Sequence, residues 1–478
     1  MRRLLYVGGL LVILLMAGYF VVNALIRRKV EASLRTLPSS IKATYGSLHA
    51  DVLTGSLVLQ DLSLSQNDGG REQHLSIEKV TVHGINYFAL ASSGNNVTIG
   101  RLELTGIRVE EHKRFSMEGD LALDSLHIPN LDKPTDDIQI GAIRLNAKKL
   151  SYLIPGTFEA FHLSGLTMDS KGAFLRIDTV RVIPTVGKLE LGGIKGHQVD
   201  YVEASCEGFN MERVDLKGLL QHRLIADKIS LQHNNISVFR DRRLPMQTDK
   251  KPLPMDYLKS LPLTIRIQQV SIGTSTFSYE EFPKKGNKTG VLRIVRLRGT
   301  IKPLINHPMN GDPNYIIMTT EGSLMGSGTV TATTKVPLHK GDPYKVEGTF
   351  HELDVTRLNP SAENLGGLHL ESGMLNSLAF AFEMNEEKAT GRIIGEYHDL
   401  VVDKLRGLGD DKKVDKVKSF FLKRLIIPKD KDHTLPESKR TGKVDYKHDP
   451  ERYFSYYLLH ALLVGVKSSF SLGFLLPG

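Results

Sequence analysis

The sequence has no tryptophan and a single cysteine, Cys206, among 478 residues. One cysteine excludes an internal disulfide framework but does not decide the compartment. In the alternating stretch YVEASCEGF it reads as a small buried apolar residue. Catalytic and metal motifs are missing as well. The 17 histidines are scattered, without HExxH or a paired Cys–His spacing. No glycine-rich phosphate loop follows a strand pattern, and GxSxG is absent. SLMGSGT (323–329) is glycine-rich but sits in alternating sequence and reads as strand and bend. These absences predict a protein that is not an enzyme and needs no cofactor or metal. Basic residues alternate along the chain and do not gather into a groove interleaved with aromatics, which argues against nucleic acid. Helical periodicity is nearly absent from residue 41 to about 400.

The composition is that of a folded chain: 41% hydrophobic and 24% charged, with a net charge of +9. The positive excess fits anionic surroundings, and equally a soluble basic protein. Residues 4–26 carry no charge, about the length a bilayer core requires. Leu4, Leu11, Leu14, Phe20 and Ile26 are among their apolar side chains; Arg2 and Arg3 precede them, and Arg27, Arg28 and Lys29 follow. No small-x-small cleavage site closes the segment. Residues 1–28 are therefore expected to be an uncleaved membrane anchor, and 29–40 a linker helix. The flanking charges nearly balance, so they do not set the orientation.

From residue 41 to 405 one phrase recurs: two alternating apolar residues, a two-residue slip, and two more. Leu57 and Leu59 with Leu62 and Leu64 are its first copy. Leu75, Ile77, Val80 and Val82 follow, then Leu102, Leu104, Ile107 and Val109. Further copies hold Leu121, Leu123, Leu126 and Ile128, and Ile138, Ile140, Ile143 and Leu145. Phe161, Leu163, Leu166 and Met168 continue the series, as do Leu175, Ile177, Val180 and Val182. Ile265, Ile267, Val270 and Ile272 form a late copy, and looser ones run to Val402. Period-two alternation with polar partners predicts strands with one wet and one apolar face. A plain slip would turn the later side chains to the wrong face. A bulge or bend restores the facing while curling the strand; the alternative is two short strands joined by a tight turn. The apolar face must then be covered, by a second sheet or by lipid.

After residue 405 the character changes. Residues 406–428 read as an amphipathic helix, either lying on an acidic surface or packed on the sheet. Residues 429–452 are a polar connector. Residues 453–478 carry one formal charge, Lys467, and fit an interface or the plug of an apolar groove.

The basic N-terminal anchor, the phrase YGSLHADVLTGSLVLQDLSLS (45–65), the later GTVTATTKVPL and YKVEGTFHELDVTRLNP, and the late repeat ATGRIIGEYHDLVV (389–402) together resemble the AsmA-like family of envelope proteins, relatives of the repeating β-groove lipid-transfer proteins. The resemblance covers nearly the whole chain. It implies a mainly β protein: an N-terminal transmembrane helix, then a long, curled, taco-like antiparallel sheet, with C-terminal amphipathic helices. Its concave face would hold phospholipid acyl chains. It implies anchoring in the inner membrane with the bulk of the chain in the periplasm of a Gram-negative-type envelope, and a role in lipid transport, outer-membrane biogenesis or envelope maintenance. The β-rich stretch is shorter than in the large bridging members. The groove candidates are the apolar residues of the copies at 57–64, 75–77, 102–109, 138–140, 163–166, 175–177 and 265–272. A scaffold with a dry core, assembling envelope machinery, is the competing expectation. Exposed sheet edges would invite a second copy or an envelope partner.

Overall fold

A computed structural model describes residues 41–51, 55–68, 71–85, 97–111, 114–129, 138–423 and 427–469. The expected anchor and linker helix, residues 1–40, lie outside the described residues. Among the described residues no helix is long and apolar enough to cross a membrane. The described residues are mainly β, 61% strand and 16% helix, in a mostly antiparallel 21-stranded arrangement. The chain divides into two compact units, Met1–Arg181 and Val182–Gly478, which are taken in turn.

In the first unit β1 (Ile41–Thr44) and β2 (Ser47–Asp51) both pair with β3 (Ser56–Asp68). An antiparallel meander continues through β4 (Arg71–His83), β5 (Val97–Glu111), β6 (Phe115–Ile128), β7 (Gln139–Leu153) and β8 (Glu159–Asp169). β9 (Phe174–Pro184) follows, and the unit boundary falls within it. No described ladder joins β1 or β2 to β8, so this meander does not close on itself. Each slip lies inside one continuous strand, so the tight-turn alternative does not occur here.

The slips are bends of two kinds. Between β3 and β4 the pairing keeps one register throughout: Leu59 faces Val80 before the slip and Leu62 faces Ile77 after it. Both strands bend at the same level, and no residue is inserted. An inserted residue appears at β5–β6, where the register steps between Leu104 and Ile107, and at β6–β7, between Glu118 and Gly119. At four of the slips the backbone device is a left-handed residue, with φ 54° at Asp61, 66° at Gly106, 54° at Ser125 and 64° at Gly165; the slips of β4, β7 and β9 carry none. One such residue turns the chain over, so that the next alternation returns to the same face. The Gly106 amide, lost to the ladder, donates to Asp120 Oδ1 at 2.8 Å. The bends line up across the sheet, from Asp61 and Glu78 through Gly106 and Gly119 to Lys148, Gly165 and Asp178.

In the second unit β10 (Asp200–Glu212) pairs with β11 (Arg223–Asp241), and β11 lies parallel to β12 (Thr264–Phe282). This ladder departs from the antiparallel expectation. A parallel pair needs a long crossover, here residues 242–263, with a helix at Pro254–Ser260. An antiparallel series follows: β13 (Gly290–Lys302), β14 (Leu304–Ile305), β15 (Tyr315–Leu324), β16 (Thr329–Pro337), β17 (Tyr344–Asp354), β18 (Leu368–Met384) and β19 (Lys388–Arg406). β19 also carries β20 (Lys413–Val414) and β21 (Thr441–Lys447). Of the helix expected over 406–428, the described α-helical part is Lys416–Phe421, capped by Asp415. Its reach is shortened because β20 takes the residues before it into a ladder.

The apolar C-terminal stretch forms the helix Phe454–Ser469. Tyr457, Ala461, Gly465 and Ser469 recur every fourth residue and are buried. Tyr457 and Ala461 join Phe380, Phe382, Ile393 and Val444 in one core, together with Leu253 and Met255 from the crossover. The helix comes so close to β21 that a Cβ on Gly442 would strike the Gly465 carbonyl. Tyr457 Oη donates to the Asn385 carbonyl at 3.2 Å, and its ring stacks on His448 at 4.4 Å. At the far end Ser469 Oγ donates to the Arg440 carbonyl at 2.6 Å, and the Lys431 ammonium donates to the Ser469 carbonyl. A cation suits the negative end of the helix dipole; burial pulls the Lys431 pKa below its ordinary value.

Candidate functional site

The strongest candidate is the apolar face of the first unit. Alternation and bends put Leu57, Leu59 and Leu62 of β3, Ile77 of β4, and Leu102, Leu104 and Ile107 of β5 into one buried cluster. Leu64, Leu75, Val109, Ile138 and Ile140 pack against it, half-buried. Thus the structure gathers the candidates of β3, β4, β5 and β7, with Leu121, Leu123, Leu126 and Ile128 of β6 among them. Leu104 is 1% exposed and Leu102 is fully covered. Cover thins toward β7, where Ile138, Ile140, Ile143 and Leu145 are all half-buried. On β8 Leu163 is half-buried and Leu166 buried; on β9 Leu175 is half-buried and Ile177 buried.

Ile265, Ile267 and Val270 are buried on β12, with Ile272 half-buried beside them. They belong to the second unit, where Ile267 faces Ala226 across the parallel ladder. Hence they are not part of the first unit's cluster. The cluster also holds Val97 and Ile99, which the repeat phrase passed over. Their signal was a second slip in β5, at Gly100–Arg101, before the copy that begins at Leu102. The anchor residues Leu4, Leu11, Leu14, Phe20 and Ile26 lie outside the described residues.

The opposite face of the same strands is charged. Arg108 pairs with Glu78 at 2.9 Å, and Asp124 draws Arg144 to 3.1 Å and Lys171 to 3.5 Å. Such exposed pairs contribute little stability each, but they fix which side of the sheet meets water.

Among the described residues no group suited to nucleophilic or acid–base work sits on the apolar face. The Cys206 thiol, in the second unit, is half-buried and its pKa is pushed up by burial, which disfavours the reactive thiolate. Among the described residues no group of three or more histidine, cysteine or carboxylate side chains is placed to hold a metal ion. A trough of about 570 Å³ lies on the second unit's sheet, lined by Thr300, Thr319, Thr331 and their neighbours. Thr300 and Thr319 satisfy each other across it at 2.8 Å. What the first unit offers instead is a contiguous hydrocarbon surface, able to bind by burial of apolar area.

No family model, curated protein or solved structure matches the chain.

Proposed function

We propose that the chain is a membrane-anchored, non-enzymatic envelope protein whose first unit holds phospholipid acyl chains against its apolar face, in the manner of an AsmA-like groove. It takes part in lipid transport between membranes or in envelope maintenance. The anchor is residues 1–28, in the inner membrane, with the rest of the chain in the periplasm. The observation that carries this reading is the contiguous one-sided apolar face of β3–β7, half-covered at Ile138 and Ile140 and backed by a charged face. The aligned bends support a curled, taco-like sheet.

Photo-crosslinkers at Ile140 and Leu163 are expected to trap phospholipid in membranes, while those at Gln139 and Glu103, on the wet face, trap none. Equal labelling of both faces, or no lipid adduct at any position, overturns the reading. A second reading draws on the 1% exposure of Leu57 and Leu104. This is an anchored scaffold with a dry core that assembles envelope machinery. Native mass spectrometry of the extracted protein separates the two: the carrier retains lipid in defined stoichiometry and the scaffold retains none.

A further inference from the structure

The segment around the helix Lys416–Phe421 has two sides. Its inner side is tied down. The Asp415 carboxylate accepts from the Lys418 amide at 3.2 Å, Ser419 Oγ accepts from the Lys404 amide at 3.0 Å, and Leu422 is 1% exposed among Leu368, Val402 and Ile427. The outer side presents Val414, Val417 and Phe420 at three-residue spacing, 47%, 67% and 54% exposed. Large apolar side chains grouped this way on a surface mark an interaction site. The charge around them is mainly positive. Lys413, Lys416 and Lys418 are exposed and make no ion pair among the described residues, whereas Lys412 is engaged by Glu363 and Lys423 by Glu371 and Asp403. Of the nearby carboxylates Asp415 is engaged by Arg406 and Asp410 by Lys288, while Asp411 is exposed and makes no ion pair among the described residues.

We infer that this face docks on an anionic lipid bilayer, with Val417 and Phe420 entering the headgroup boundary and the three lysines meeting lipid phosphates. Apolar side chains flanked by unpaired lysines suit that surface, since each lysine near an anionic bilayer contributes on its own and the apolar tips add burial. A protein groove without acidic residues would bury the tips but leave the lysines without anions. The inference does not depend on lipid entering the first unit.

The test uses the full chain reconstituted in phosphatidylcholine proteoliposomes and a second, fluorescent set of vesicles. Capture of vesicles containing phosphatidylglycerol is expected to exceed capture of pure phosphatidylcholine vesicles on the order of a hundredfold at low salt, the combined effect of three lysines, and to fall as salt rises. Lys416→Glu with Lys418→Glu should remove most of this preference and flatten its salt dependence. Val417→Asp with Phe420→Asp should lower capture to the neutral-vesicle level. Both pairs lie on the exposed side, and an unchanged thermal transition verifies that each variant folds. Equal capture of both vesicle types, or wild-type capture by the folded Val417→Asp/Phe420→Asp variant, overturns the inference.

Discussion

In the second unit the sheet's apolar side is closed by helices: Met255 from the crossover and Tyr457 and Ala461 from the C-terminal helix sit in one core with Phe380, Phe382 and Ile393. The described residues of the first unit form strands and turns, and its apolar positions cluster with one another, from fully covered at β5 to half-covered at β7. Both units use one-sided strands with bends, yet they finish the core differently. A sheet that brings its own helices is a self-contained body. A sheet whose apolar face thins toward one end keeps hydrocarbon surface for something else, and for that reason the proposed lipid face is assigned to the first unit.

The comparison breaks most visibly at the C-terminal helix. Tyr457→Ala removes a fully buried ring and should cost the second unit roughly 3–5 kcal/mol. Hydrogen exchange should quicken on β19 and β21 and stay slow on β3–β6. Loss of protection in both places would show that the units do not stand alone.

Alkaline pH tests the same core without mutation. Burial pushes the Tyr344 and Tyr397 hydroxyls up to about 12. An acid whose folded pKa is raised gives stability that is fully present below the unfolded value, near 10, and is lost as pH climbs through about 12. The second unit should therefore lose a few kcal/mol across that window, read as an earlier thermal transition. Tyr344→Phe should shrink the loss.

A smaller effect addresses the first unit. Gly165 has φ 64°, and a Cβ there would strike the Asp178 carboxylate. Gly165→Val should destabilise the first unit by about 1–3 kcal/mol and leave the second unit's transition in place. The smallest effect has the opposite sign. Ser125 holds φ 54° with a side chain, so Ser125→Gly should relieve strain and raise the first unit's stability by about 0.5 kcal/mol, the left-handed penalty less the entropy cost of glycine. Destabilisation would mean that the Ser125 side chain, not its backbone, sets the bend.

Much of the first unit was legible because its chemistry is local. Leu57, Leu59, Leu62 and Leu64 alternate, slip and alternate again, and one strand with one left-handed residue satisfies that pattern. The kind of slip was not legible. Whether a residue is inserted depends on the neighbouring strand: Asp61 and Gly106 both bend in step with Glu78 of β4, whereas on its other side Gly106 faces a β6 that does not bend with it. The parallel β11–β12 ladder was hidden because hydrophobic alternation carries no direction. The C-terminal segment showed its apolar character, but its docking rests on small residues far apart in sequence, Gly442 and Gly465, whose fit appears only once strand and helix are brought together. The full burial of Leu104 beside the partial cover of Ile140 follows from position within the sheet, which no four-residue phrase encodes.

The line of bends from Asp61 to Asp178 crosses successive strands at one level. A crease placed this way separates two dimensions. The distance from crease to strand end sets the cross-section, while the number of strands sets the reach, at roughly 4.8 Å per strand. Gain or loss of a hairpin that carries its own left-handed residue would therefore change how far the first unit extends and leave its bore alone, as links alter a chain's length but not its gauge.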